Sequence, residues 1–155
     1  MASSDTLIIR AALAGESSIY RDIEIEASKS LYQLAKAINI AFEFDFDHSF
    51  GFYSGLTPTT MFKKAPIYEL FADMGEANSG VLGVKKTKIT QAFPAVAHTM
   101  LFLFDYGDEW HFRVTLKGTG TKVAKTRYPR IVESSGESPE QYPDSEDDDE
   151  ADEDK

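Results

Sequence analysis

The stretch Met100–Gly118, MLFLFDYGDEWHFRVTLKG, contains two apolar runs on either side of a short acidic turn. Before the turn, every residue of Met100–Phe104 is apolar, which predicts a strand with both of its faces covered. After the turn, apolar and polar residues alternate from Trp110 to Lys117, which predicts a strand with one exposed face. Two strands joined by a glycine-containing turn form a β-hairpin, and we expect this hairpin to organise the fold.

Two further strands and one helix precede the hairpin. Apolar residues occupy alternate positions in Leu7–Leu13 and in Ile19–Ala27, and the turn composition between them predicts an antiparallel pair. The same alternation places the acidic residues of the second strand on a face that we expect to be exposed. From Leu31 to about Phe42, apolar residues recur at helical spacing, and Ser28 or Ser30 precedes them as a candidate N-cap. This pattern predicts an amphipathic helix.

Charge is distributed very unevenly along the chain. Residues 133–155 hold twelve acidic residues and one lysine, a net charge of −11, whereas residues 1–132 carry a net charge of +1. A segment with dense like charge and few apolar residues cannot offset the entropy lost on ordering. We therefore expect one domain at residues 1–132 and an acidic tail at residues 133–155, disordered from about Ser134.

Composition excludes several classes of site. The chain has no cysteine, which removes disulfides, thiolate nucleophiles and cysteine-ligated zinc. No apolar run approaches the roughly 20 residues of a membrane helix, and the start MASSDTLIIR lacks the features of a signal peptide. A glycine-rich phosphate loop is also missing. From these absences together we predict no cofactor, no membrane association and a cytoplasmic location.

Acidic and histidine side chains around the central turn form a candidate binding surface. Asp105 and Asp108 flank Gly107, with Trp110 and His111 directly after them and His48 earlier in the chain. Together with Asp45, Asp47 and Glu109, these carboxylates and histidines could converge as an acid/base site or as a site for Mg²⁺ or Mn²⁺. Aspartates beside a glycine more often bond the turn backbone. We favour the structural turn and predict no metal and no catalytic residue. Trp110 is either a core residue or a binding anchor, and core packing is the more common case.

A second candidate surface is the basic stretch that follows the hairpin. It offers five possible contacts to nucleic-acid phosphates, namely Lys117, Lys122, Lys125, Arg127 and Arg130. The alternatives are a solvated strand edge protected by lysines and an intramolecular contact with the acidic tail. The net charge of the domain is close to zero, so we favour the solvated edge.

Several motifs resemble the plasmid pRiA4b ORF-3-like domain family, small proteins of plasmids and transposable elements, some with resolvase-like names. The similar segments are DYGDEW at 105–110, IYRDI at 19–23, LYQLAKAINIAFEF at 31–44, His48, RYPR at 127–130 and SPEQY at 138–142. The resemblance implies an α+β fold, a single roll-like domain with a curved mixed or antiparallel sheet packed on one long helix. It implies no biochemical activity, because the family has none assigned.

The chain departs from the family pattern at its histidine and cysteine positions. Ala35 stands at the helix histidine, Phe50 at the second downstream histidine, Phe112 at the histidine after the tryptophan, and Ser138 at the cysteine. A family His/Cys constellation would therefore be mostly lost here. We accordingly expect an uncharacterised binding module that recognises a protein or nucleic acid as an accessory to a mobile element. The alternative is a metal-dependent enzyme that uses the Asp/His cluster, and the sequence leaves the oligomeric state open.

Overall fold

The structure is a computed structural model, and it describes residues 5–142. Seven strands form one antiparallel sheet, and three helices cover it. The strands are β1 (Thr6–Leu13), β2 (Glu16–Glu26), β3 (Phe50–Tyr53), β4 (Ile67–Glu69), β5 (Thr99–Phe104), β6 (Trp110–Gly120) and β7 (Arg130–Ser135). The helices are α1 (Leu31–Ala41), α2 (Leu70–Asp73) and α3 (Ile89–Ala92). The strand order is β4-β3-β5-β6-β1-β2-β7, so the fold class is α+β with a mostly antiparallel sheet.

The predicted central hairpin is present as β5 and β6, with Phe102 opposite Phe112 in their register. Both faces of β5 are covered, as its uninterrupted apolar sequence predicted. Phe102 and Phe104 belong to the main core, together with the buried face of α1. Leu101 and Leu103 point to the other face and pack with Tyr53 and Met61 in a smaller cluster.

A short polar network lies beside that smaller cluster. The phenol of Tyr53, which is completely buried, donates to the carboxylate of Glu69 at 2.5 Å and lies 2.7 Å from the phenol of Tyr106. Burial raises the pKa of both phenols well above the ordinary value, and the hydrogen bond to Glu69 raises that of Tyr53 further.

Helix α1 begins and ends close to the predicted positions. Ser30 caps it, because its side chain accepts a hydrogen bond from the Gln33 backbone while the Gln33 side chain accepts one from the Ser30 backbone. The helix has eleven residues, about three turns, so the expected long helix is of average length.

One expectation about β2 is wrong. Its acidic residues were expected to be exposed, yet Asp22 and Glu24 are buried. Arg10 bonds Asp22 at 2.8 Å, and Glu24 accepts hydrogen bonds from Thr6 and Arg130. The buried carboxylates are tolerated because each is paired and hydrogen-bonded.

The described structure continues beyond the predicted domain boundary. Strand β7 pairs with β2 and crosses the expected boundary at residue 133, and residues 136–142 contact the domain. Disorder from Ser134 is therefore wrong for residues 134–142. Backbone pairing with β2 holds Ser134 and Ser135, and side-chain hydrogen bonds hold Ser138, Gln141 and Tyr142. The rest of the predicted tail, residues 143–155, lies outside the described residues. No helix within residues 5–142 combines the length and hydrophobicity that crossing a membrane requires.

Candidate functional site

The turn between β5 and β6 is built around Asp105. The backbone φ of Asp105 is +71°, and the residue is only 5% exposed. Its side chain accepts hydrogen bonds from the amides of Gly107 at 3.0 Å and Asp108 at 3.2 Å. The amide of Asp105 in turn donates to the carbonyl of Ser49 at 2.9 Å. Asp105 therefore closes the turn and fixes it to the segment that precedes β3.

His48 lies beside this turn and faces several oxygen atoms. Its Nε2 is 3.0 Å from the phenol oxygen of Tyr142, 3.5 Å from Oδ2 of Asp105 and 3.7 Å from Oδ1 of Asp47. The phenol of Tyr142 donates to the carboxylate of Asp47 at 3.0 Å. Burial, followed by this hydrogen bond, raises the pKa of Tyr142 to about 12. Asp47, Asp105 and Asp108 add to that shift through their negative charges.

The segment Ser138–Tyr142 was singled out only by its resemblance to the family pattern, and it packs directly against this turn. The side-chain amide of Gln141 accepts a hydrogen bond from the Asp45 backbone at 2.7 Å and donates to the Asp45 carbonyl at 3.1 Å. Arg21 donates to the Ser138 hydroxyl at 2.9 Å. The structure thus brings His48 and Asp105 together with Asp47 of the predicted cluster, and it adds Tyr142, which the sequence did not identify. Asp108 takes part through its backbone amide, which donates to Asp105.

Trp110 and His111 point to opposite faces of β6. The indole of Trp110 packs against the main core, with its ring centroid 4.9 Å from that of Phe44. The imidazole of His111 lies on the face opposite α1, where it lines a separate cleft together with Arg113, and Trp110 also borders that cleft. The five residues of the predicted binding surface therefore do not form one site.

Ligand geometry for a metal is not found around these side chains. Within residues 5–142, no group of three or more His, Cys, Asp or Glu residues is arranged to hold a metal ion. The enzyme alternative therefore has no set of metal ligands in the described part of the chain.

The predicted basic stretch is partly used inside the molecule. Lys122 forms an ion pair with Glu26, which raises the lysine pKa, and Arg130 bonds Glu24 at 2.8 Å. Lys117, Lys125 and Arg127 are exposed. Two of the five predicted nucleic-acid contacts are thus bound to carboxylates of β2.

A more concentrated basic site lies at the amino-terminal end of α1. We call it the lysine cleft, a depression of about 440 Å³ that contains three lysines and no carboxylate in its lining. It is lined by Ser28, Ser30, Tyr32, Gln33, Lys85, Lys86, Thr87 and Lys88. Sequence reasoning missed it, although the run KKTK at Lys85–Lys88 is visible as a signal.

Backbone hydrogen bonds fix the lysine-bearing loop in place. The carboxylate of Asp73 accepts hydrogen bonds from the amides of Val84 at 2.7 Å and Lys85 at 3.2 Å. A side chain at Gly83 would collide with that carboxylate, because its Cβ would lie 2.4 Å from Oδ1 of Asp73. The carbonyl of Thr87 then accepts the first amide of α1, from Leu31, at 2.9 Å. The loop is therefore held firmly against the helix.

Comparisons with known proteins agree with the motif resemblance. Residues 6–144 match the family described as "Plasmid pRiA4b ORF-3-like protein", which covers the sheet, α1 and the segment through Tyr142. A comparison with curated proteins gives no match.

One similar solved structure is the crystal structure of a protein of unknown function, MM3350, from Methanosarcina mazei Go1. The TM-score is 0.71 at 17% sequence identity, over 90% of this chain and 74% of the other. At this identity the similarity concerns the fold alone, so the sites must be judged from the side chains of this chain.

Proposed function

Because this chain belongs to the plasmid pRiA4b ORF-3-like family, we propose that it is a small cytoplasmic binding module that serves a plasmid or transposable element by contacting nucleic acid. The observation that carries the proposal is the lysine cleft, with its three lysines and no carboxylate in the lining. The family description supplies the mobile-element context only.

The side chains of the lysine cleft are those that proteins use on a phosphate backbone. Lysines supply charge that displaces counterions, while serine, threonine and glutamine donate hydrogen bonds to phosphate oxygens. Lys85 also lies over the ring of Tyr32, with Nζ 5.0 Å from the ring centroid. Such contacts are made to the sugar-phosphate backbone of the nucleic acid and not to its bases. The proposal therefore concerns binding with little sequence preference.

The position of the lysines supports an anionic partner. The amino end of a helix carries a partial positive charge, and cations placed there are electrostatically unfavourable for the helix. The first turn of α1 contains no acidic residue that would offset Lys85, Lys86 and Lys88. A lysine group in this position gains its favourable interaction when a phosphate occupies the cleft.

Carboxylates at the other end of α1 would orient the complex. Glu43, Asp45 and Asp47 follow the helix directly, and Asp108 lies in the neighbouring turn. Eleven residues at about 1.5 Å each separate the two ends by roughly 16 Å. Nucleic acid would therefore approach the lysine end and be repelled from the acidic end.

Binding of a labelled random duplex, followed by fluorescence anisotropy over a range of salt concentrations, tests the proposal. We expect the double variant Lys85→Gln/Lys86→Gln to weaken binding and to reduce the salt slope by about 2, since each phosphate contact contributes about 0.9. The matched control is Lys63→Gln/Lys64→Gln, which removes an adjacent exposed pair of lysines and the same total charge. Equal effects of the two double variants, or no binding by the unaltered protein at low salt, would overturn the proposal.

A further inference from the structure

A cleft of about 510 Å³ opens on the face of the sheet opposite α1. Its apolar part comes from three elements, the β1–β2 turn, the loop after β3 and strand β5. Leu13, Leu56, Pro58 and Leu101 contribute the hydrocarbon lining. This volume lies within the range of about 300–1,000 Å³ that is usual for sites of small ligands or peptide termini.

Two nitrogen-bearing side chains, His111 and Arg113, also line the cleft. They are alternate residues of β6, so both project to this face, while Phe112 between them is buried in the main core. The backbone carbonyl of His111 accepts a hydrogen bond from Ala14 at 2.9 Å, which fixes the β1–β2 turn beside them. The cleft therefore combines an apolar lining with a fixed pair of polar groups.

The guanidinium of Arg113 makes fewer contacts than those of Arg10 in β1 and Arg130 in β7. Arg10 binds Asp22 through two nitrogens, and Arg130 binds Glu24 in the same way. Within residues 5–142, the side chain of Arg113 makes one hydrogen bond, to the carbonyl of Leu56 at 3.4 Å, and no ion pair. Its remaining N–H groups are available at the edge of the apolar lining.

From this arrangement we infer that the cleft binds a monocarboxylate with an apolar body, through the guanidinium of Arg113 and the hydrocarbon lining. A guanidinium holds a carboxylate through two parallel hydrogen bonds, which gives both affinity and direction. Glu109 also lines the cleft, and its negative charge disfavours a ligand that carries more than one negative group. This chemistry occurs in small aliphatic or aryl acids and at the carboxyl terminus of a protein that ends in an apolar residue.

The site is independent of the lysine cleft. No residue lines both clefts, and the two differ in what they offer, one a group of lysines and hydroxyls, the other a single guanidinium beside hydrocarbon. Failure of nucleic-acid binding would therefore leave this inference untouched.

The test uses the full chain and backbone amide NMR with named probes. We expect 4-phenylbutanoate, or an acetylated tetrapeptide that ends in leucine with a free carboxylate, to shift the backbone amides of Leu56, Thr57 and residues 111–113 saturably. The corresponding carboxamides should bind at least about tenfold more weakly, because they lose the charge-assisted hydrogen bonds. Binding of the acid alone would identify a small-molecule ligand, and binding of the peptide alone would identify a protein terminus.

Variants of Arg113 distinguish the paired hydrogen bonds of a guanidinium from the effect of its positive charge alone. Arg113→Met should weaken binding at least about tenfold, and Arg113→Lys should restore only part of it, because a lysine cannot form the paired hydrogen bonds. Arg127→Met, which removes one exposed arginine elsewhere, should leave the affinity within about twofold. Three results would overturn the inference: no saturable shift with either probe at millimolar concentration, equal affinity for acids and carboxamides, or unchanged binding by Arg113→Met.

Discussion

Replacement of Arg21 by methionine is a sharp test of how the carboxyl-terminal segment is attached. This side chain is buried, with the residue only 7% exposed, and it contacts three separate parts of the chain. It donates to the carbonyls of Ala41 at 3.3 Å, Tyr20 at 2.8 Å and Ser135 at 3.0 Å, and to the hydroxyl of Ser138 at 2.9 Å. Arg21 thus joins the end of α1 to the end of β7 and to the segment beyond it.

The expected loss of stability follows from these hydrogen bonds. A hydrogen bond from a charged donor contributes about 1.5–3 kcal/mol net, and the variant loses four, of which the one to Ala41 is long. Methionine fills much of the same space above Phe42, and the cost of burying a guanidinium disappears with it. We expect the free energy of unfolding to fall by about 3 kcal/mol, which corresponds to a melting temperature lower by about 6–12 °C.

Urea unfolding monitored by the fluorescence of Trp110, the single tryptophan, measures this loss. Arg127→Met is the matched control, and its effect should stay within about 0.5 kcal/mol because Arg127 is exposed. Hydrogen exchange adds a local measurement, since the Asp45 amide donates to Gln141 and should exchange faster once Ser138 is released. A loss below about 1 kcal/mol, or unchanged protection of Asp45, would refute the reasoning.

Two further predictions concern the core and the buried phenols. Phe104→Ala should lower the free energy of unfolding by about 3–5 kcal/mol in urea, because the ring is completely buried, whereas Phe62→Ala at an exposed position should change it little. Above pH 10, Tyr53 should lower the free energy of unfolding by about 1.4 kcal/mol per pH unit. The raised pKa keeps its phenol protonated in the folded state, whereas the unfolded chain releases the proton. Denaturant titrations at about pH 9 and about pH 11 should show this decline, with a weaker decline in Tyr53→Phe; equal slopes would contradict it.

Local patterns in the sequence correctly predicted those strands and helices whose buried faces follow from the spacing of apolar residues within the element itself. The apolar run Met100–Phe104 indicated a strand covered on both faces, and it is β5 with a core on each side. The spacing of apolar residues from Leu31 indicated α1, whose buried face follows that spacing. In both cases the information lies within about a dozen neighbouring residues.

The features that were missed depend on residues far apart in the chain. Glu24 looked like a solvent-exposed acid, and it is buried because Thr6 and Arg130 approach it from two other strands. Strand β7 has an exposed, polar sequence, and pairing with β2 defines it. The loop of the lysine cleft is likewise held by Asp73 of α2 and by backbone hydrogen bonds to α1, contacts that no periodicity predicts.

The charges at the two ends of α1 have unequal consequences. At its carboxyl end, where the helix carries a partial negative charge, Arg21 donates to the carbonyl of Ala41 and provides a compensating cation. At its amino end, the first turn carries no acidic residue, and the three lysines of the lysine cleft add positive charge to an already positive helix end. The two ends of α1 therefore differ in their nearest compensating group, which is a buried guanidinium at the carboxyl end and is missing from the first turn at the amino end. An anion in the lysine cleft would supply at the amino end the compensation that Arg21 supplies at the carboxyl end, and this difference supports our proposal of a phosphate partner.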